Sequence, residues 1–278
     1  PISQEQASGR ILEIYTDIQS TFQVSLVPLV FQYIANFEEY FSYMWEKVKR
    51  NIQSDYFENS YKELLATTTK DFQEIYYASS QMQEYLHRLH GLEKDDLLDT
   101  VSKLAIVNAK LLIVTIGIRE GVKGVMVKHE QLPKSVMAGI DREFFDTFSN
   151  IVQESQQKEA AATSKMLAPL FGTQALAFSN YSDFFSEVAQ DFEALIMKES
   201  YLEKRVILEK KVMHLVDGLP YGLGCTYAEI ARFAAGKAHF SELLYILSET
   251  FPSQFPRLMF TSILMKQVLS PSSGLQKI

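Results

Sequence analysis

The sequence predicts an all-α fold, two homologous helical repeats related by a pseudo-two-fold with a cleft between them, and three observations predict it. Apolar residues recur at spacings of three and four along most of the chain, the signature of amphipathic helices. Candidate strands are nearly missing. The stretch VPLVFQYIANFEEYF (27–41) is also echoed by GTQALAFSNYSDFF (172–185), with Asn36 on Asn180, Phe37 on Tyr181, Tyr40 on Phe184 and Phe41 on Phe185.

The elements follow in order. Ile11, Leu12, Tyr15, Ile18 and Phe22 form one apolar stripe. Val24–Val30 is β-branched and apolar, but Pro28 interrupts it, so it reads as a turn feeding a helix whose first turn accepts proline. Tyr40, Phe41, Met44, Trp45 and Val48 make the next stripe, and Phe184, Phe185, Val188, Phe192, Leu195 and Ile196 make its later counterpart. With one inserted residue, SDYFENSYKELL (54–65) lies over ESYLEKRVILEK (199–210), Tyr56 on Tyr201; AKLLIVTIGI (109–118) parallels SELLYILSET (241–250). The expected organisation is a first repeat over 1–130, a connecting helix or linker over 131–160, and a second repeat over 161–278. A fused pair of like units packs as an isologous dimer does, and the groove between them is the natural ligand site.

Composition bounds the function. The chain has 278 residues, 47% hydrophobic and 22% charged, with ample material for a core. A net charge of −7 and a pI near 5.4 exclude a general nucleic-acid binder, which needs a basic surface. The apolar stretch Leu111–Ile118 is too short to span a bilayer, and the opening PISQEQASGR has no signal-peptide core. One cysteine, Cys225, forms no intramolecular disulfide. The expectation is a cytoplasmic protein without a membrane partner.

Local constellations give little chemistry. Glu84, His87 and His90 share a helix face, as in carboxylate-bridged metal bundles, but no second motif accompanies them, so no metal is expected. Cys225 sits in GLGCTYAEI before a helix that Thr226 can cap, with no identified partner base. GLPYGLG (218–224) lacks the lysine and the preceding strand of a phosphate loop. Asp183 and Glu187 read as surface charges, and their counterparts in the first copy are Glu39 and Tyr43. Asn108 and Lys110 stand at the mouth of the most apolar helix, where a buried amide needs a hydrogen-bond partner.

Three longer stretches resemble a known family, the all-helical group I 2-haloacid dehalogenases that act on both enantiomers. VSLVPLVFQYIANFEEYFSYMW (24–45) looks like the family's first-repeat motif. ESYLEKRVILEKKVMHLVDGLP (199–220) resembles the segment after its second motif, and VNAKLLIVTI (107–116) its Asn-Pro-Lys segment. The resemblance covers nearly the whole chain, including the duplication. It implies a water attacking the halogen-bearing carbon directly, with no covalent ester and no cofactor. An aspartate opening the second motif is the base, and an asparagine from the first half holds the water. Asn108 matches that asparagine. The aspartate's place is taken by Gln174, or by Thr173 one residue away. A glutamine amide accepts no proton near neutral pH. The expected ligand contacts are Thr173, Lys110, Phe31 and Gln32. The expected partner is a small molecule such as a short carboxylic acid, with a homodimer left open. Three readings follow: a hydrolase of carbon–halide bonds, a non-catalytic binder of small molecules, or a helical interaction protein.

Overall fold

The computed structural model describes residues 1–89, 91–124 and 181–270, leaving the side chains of Leu92 and Ser182 aside. All belong to one of two compact units, the one joining Pro1–Lys128 with Tyr181–Ile278. Every regular element among the described residues is helical: α1 (Gly9–Phe22), α2 (Leu29–Ile34), α3 (Glu38–Ile52), α4 (Asp55–Gln73), α5 (Ser80–Arg88) and α6 (Gly91–Lys123) come first. Later in the chain come α7 (Ser182–Ile196), α8 (Glu199–Asp217), α9 (Tyr227–Ala234), α10 (Phe240–Tyr245), a π-helical turn (Ile246–Thr250) and α11 (Phe251–Leu269).

The core is the pair α6 and α11, ringed by α4, α7, α8 and the π turn. Every side chain from Leu111 to Ile118 except the Gly117 hydrogen is apolar or the threonine Thr115, and all eight positions are buried. A helix apolar on all sides must be enclosed on all sides. By length and composition α6 could cross a bilayer, beyond the short stretch the sequence suggested, but 78% of its apolar window is buried within the protein. That is the behaviour of a core helix. At roughly 1.5–3 kcal/mol per enclosed large aliphatic side chain, this one helix supplies much of the driving force.

Proline shapes the other half of the pair. Pro252 and Pro256 lack N–H groups and crowd the carbonyls four residues back. The backbone takes up the misfit as a π turn in which Phe251 N–H bonds to Ile246 O, five residues back. The chain therefore passes from α10 to α11 without leaving helical geometry.

The earlier and later helices keep one register. Helices α3 and α7 are both 15 residues long, α4 and α8 both 19, and each later helix starts 144 residues after its earlier counterpart. Buried Phe57, Leu64, Thr68 and Phe72 correspond to buried Tyr201, Leu208, Val212 and Val216. This step sets Tyr201 level with Phe57, where the sequence expectation set it level with Tyr56 after one inserted residue. The N-caps Ser79 and Thr226 stand 147 residues apart. The same 147-residue step lays 108–118 over 255–265, with Lys110 and Arg257 as the only half-buried positions in either stretch. The burial pattern of 109–118 thus recurs at 256–265, whereas the sequence expectation paired it with 241–250. Apolar helical runs fit several registers because their period repeats every turn; burial picks one.

Contacts between the two stretches are reciprocal. Helix α9 packs on α3, and α5 packs on α7. Asn51 at the end of α3 donates to Tyr221 O (3.0 Å) and accepts from Tyr221 N–H (3.1 Å). Asp191 on α7 accepts from Tyr76 OH (2.5 Å) and from Ser79 N–H (3.1 Å). Helix α3 is thus tied to the segment after α8, and α7 to the segment after α4.

The aromatic stripes face inward as expected at Tyr40, Phe41, Trp45 and Phe184, whereas Phe185 is half-buried. Leu12 departs further. It is 48% exposed, and Ile14 is buried in its stead. At 100° per residue Leu12 falls well off the line through Tyr15, Ile18 and Phe22. Pro28 is the N-cap of α2, one position earlier than a first-turn proline.

Candidate functional site

Asn108 lies where α6 crosses α11. It is buried, and its Nδ2 donates to Leu258 O across the helix pair at 3.2 Å. Bonding to a carbonyl fixes which end of the amide faces α11, because only the nitrogen can donate. The amide oxygen takes no hydrogen bond from the described residues and remains the group able to accept one from water.

Lys110 is not beside it. Residues two apart on a helix face different ways, and the Lys110 ammonium sits 4.9 Å from the centroid of the Tyr61 ring on α4. Burial lowers its pKa, with Glu58 opposing the shift. Asn108 and Lys110 are neighbours in sequence and apart in role.

Phe31 and Gln32 join a third environment. Phe31 is fully enclosed, with ring centroids 5.8 Å from Phe22, 6.4 Å from Phe41 and 5.6 Å from Trp45. Gln32 donates to Val27 O at 2.9 Å, and its backbone carbonyl accepts from Ile2 N–H. Both hold α2 against α1, α3 and the N-terminal segment. Thr173 and Gln174 lie outside the described residues, as do His90, Asn180 and the expected connecting segment 131–160.

Two further polar groupings stand elsewhere in the fold. At the α3–α9 contact, Tyr43 OH donates to Glu229 Oε1 at 2.7 Å, while Glu229 Oε2 closes a capping box with Thr226 N–H and Oγ1. Glu229 is fully engaged, which makes the cluster a structural clasp. Tyr40 OH is enclosed nearby with no hydrogen-bond partner among the described residues, and burial pushes its pKa far up. The second grouping is an open groove of about 340 Å³ lined by Tyr85, Arg88, Leu89, Glu93, Asp183, Ser186 and Glu187. Its three carboxylates against one guanidinium repel an anion. It does not suit a carboxylic acid.

Cys225 is a packing residue. The loop after α8 crosses α6 at two glycines: a Cβ on Gly117 would stand 2.5 Å from Leu223 Cδ1, and one on Gly121 would collide with Cys225 Sγ. The thiol is fully enclosed, and burial drives its pKa far above the usual range. The native protein should therefore react with Ellman's reagent orders of magnitude more slowly than the denatured chain, since the thiolate is the nucleophile. Equal rates in the two states would contradict this packing. Among the described residues, no three His, Cys, Asp or Glu side chains are grouped to hold a metal ion.

Sequence reasoning missed the Tyr76–Asp191 tie and the Leu258 acceptor, both of which depend on contacts more than 100 residues apart. The only signal was the polarity of Asn108 within an apolar run.

Comparison with known proteins bears on the whole chain. The family model for halocarboxylic acid dehydrogenase DehI matches residues 25–168, just over half of the sequence. No curated protein sequence matches it. Solved structures do: a D-2-haloacid dehalogenase mutant and a D-2-haloacid dehalogenase in complex with L-LA each give a TM-score of 0.72 at 16% identity. A mutant of D-2-haloacid dehalogenase with D-2-CPA gives 0.71, also at 16% identity, and all three alignments cover 97% of this chain and 95–96% of theirs. At that identity the likeness speaks for the fold. The family match carries the rest: the chain belongs to the halocarboxylic acid dehydrogenase DehI family.

Proposed function

We propose that this protein binds a short 2-substituted carboxylic acid in a cleft between two halves that descend from one duplicated helical unit, and that it does not hydrolyse the carbon–halogen bond. The observation that carries the proposal is Asn108. It is the residue that the resemblance assigns to holding the attacking water. Its amide nitrogen is engaged at Leu258 O, and its oxygen is left as an acceptor. The matched register of the described helices, 144 and then 147 residues apart, supports the duplication.

Gln174 argues for binding without turnover. Its amide donates and accepts hydrogen bonds but takes no proton near neutral pH, and a general base is what direct water attack requires. Thr173, one residue away, is no better. Lys110 is directed to Tyr61, and Phe31 and Gln32 buttress α2, so the ligand contacts reduce to Asn108, Gln174 and Thr173. A soluble, cytoplasmic protein needing no cofactor suits this reading.

The test is chloride release from each enantiomer of 2-chloropropionate. The native protein should release none above the uncatalysed background, and Gln174→Asp should gain measurable release. Rapid native turnover, unchanged in Gln174→Ala, would show that another group is the base.

A further inference from the structure

We propose that the groove where α5 packs on α7 binds a small organic dication, a linear aliphatic diamine. Glu93, Asp183 and Glu187 line it against Arg88 alone, which leaves negative charge in excess. Its volume of about 340 Å³ suits a short molecule. Tyr85 gives it an aromatic wall, with the ring 5.9 Å from that of Phe184, and such a ring face attracts ammonium groups. Burial raises the Tyr85 pKa, and Asp183 and Glu93 raise it further, as carboxylates beside a phenol do. Glu187 supplies an independent observation. Its Oε2 is closed off from solvent and has no hydrogen-bond partner among the described residues. A shielded carboxylate oxygen is costly until a donor meets it.

The contact of α3 with α9 shows what such a place accepts. At the 144-residue step between α3 and α7, Asp183 stands level with Glu39 and Glu187 with Tyr43. The Tyr43 ring packs on Phe233 at 4.9 Å, and its hydroxyl donates to Glu229. Lys237 Nζ, from the segment after α9, meets Glu39 Oε2 at 3.0 Å. There the chain's own phenol fills the space and its own ammonium meets the carboxylate. Between α5 and α7 a glutamate stands in the tyrosine's place, and both space and charge are left for a ligand. A metal ion is the wrong occupant, because no three carboxylates among the described residues are grouped to hold one. Two ammonium groups joined by a short alkyl chain reach carboxylates that are spread apart, with the methylenes against Tyr85 and Leu89.

Calorimetric titration of the full chain with 1,4-diaminobutane at low salt tests this. Saturable binding is expected, with none of the uncharged butane-1,4-diol and none of magnesium chloride. Glu187→Gln should weaken the diamine about tenfold or more, the loss of one charge-assisted hydrogen bond, with unchanged helical circular dichroism. Glu187→Tyr, which places at 187 the side chain found at Tyr43, should abolish binding by filling the groove. Arg88→Ala removes the competing cation and should tighten binding severalfold, a gain that a damaged fold does not produce. No saturable binding, equal binding of the diol, displacement of the diamine by magnesium, native-like binding in Glu187→Gln, or no tightening in Arg88→Ala would each overturn the proposal.

Discussion

Replacing Trp45 by alanine is expected to remove about 3–5 kcal/mol of folding stability, the range for a large aromatic lost from a closed core. Trp45 is 4% exposed and is the chain's sole tryptophan. Its ring stacks on Phe22 at 6.3 Å and meets Phe31 edge-on at 5.6 Å. Its indole N–H donates to Asp17 Oδ2 at 2.8 Å, and Lys49 pairs with the other oxygen at 2.7 Å. The alanine variant opens a cavity in the α1–α2–α3 cluster and leaves Asp17 with Lys49 alone. Trp45→Phe keeps most of the volume and should cost only about 1–2 kcal/mol, the hydrogen bond plus a smaller void. Chemical denaturation followed by circular dichroism measures both. A loss under about 0.5 kcal/mol for alanine would mean that the cluster does not close around the indole.

Asp191→Ala is expected to cost about 2–4 kcal/mol, because it strands two donors where water cannot replace the carboxylate. The Tyr76 hydroxyl is buried, and its pKa is pushed far up, first by burial and then by the hydrogen bond to Asp191. Ser79 N–H, the second donor, belongs to the N-cap of α5. The mutation therefore cuts the tie between α7 and the segment joining α4 to α5. Tyr76→Phe should be milder, about 1 kcal/mol or somewhat more, since Ser79 still holds the carboxylate. A double-mutant cycle should show the two losses to be far from additive, as groups in one hydrogen-bond network are. Full additivity would mean that the short Tyr76–Asp191 contact is not an energetic link.

Features set by near neighbours are legible in the sequence. Tyr15, Ile18 and Phe22 announce α1 by spacing alone. Thr226 three residues before Glu229 announces the capping box that opens α9. Both are decided within one or two helical turns. Features that depend on distant partners are not legible there. Asn108 identifies itself as a buried amide, but its acceptor at Leu258 exists only once α6 and α11 pair. Lys110 looks like its companion in sequence, and only helical geometry turns it toward Tyr61. The register of α11 is masked by apolar runs that fit at several offsets, and by prolines that divert the helix through a π turn. Phe31 illustrates the same limit. Aromatic side chains that line a ligand cleft and those that pack a core have the same spacing.

The most direct measurement of the central claim is calorimetric titration of the native protein with 2-chloropropionate, with chloride determined in the same cell after the run. Saturable binding is expected, weakened at least tenfold in Asn108→Ala, with no chloride above background. Chloride released in proportion to protein and time, at a rate that Asn108→Ala leaves unchanged, would contradict both the assigned site and the loss of its base.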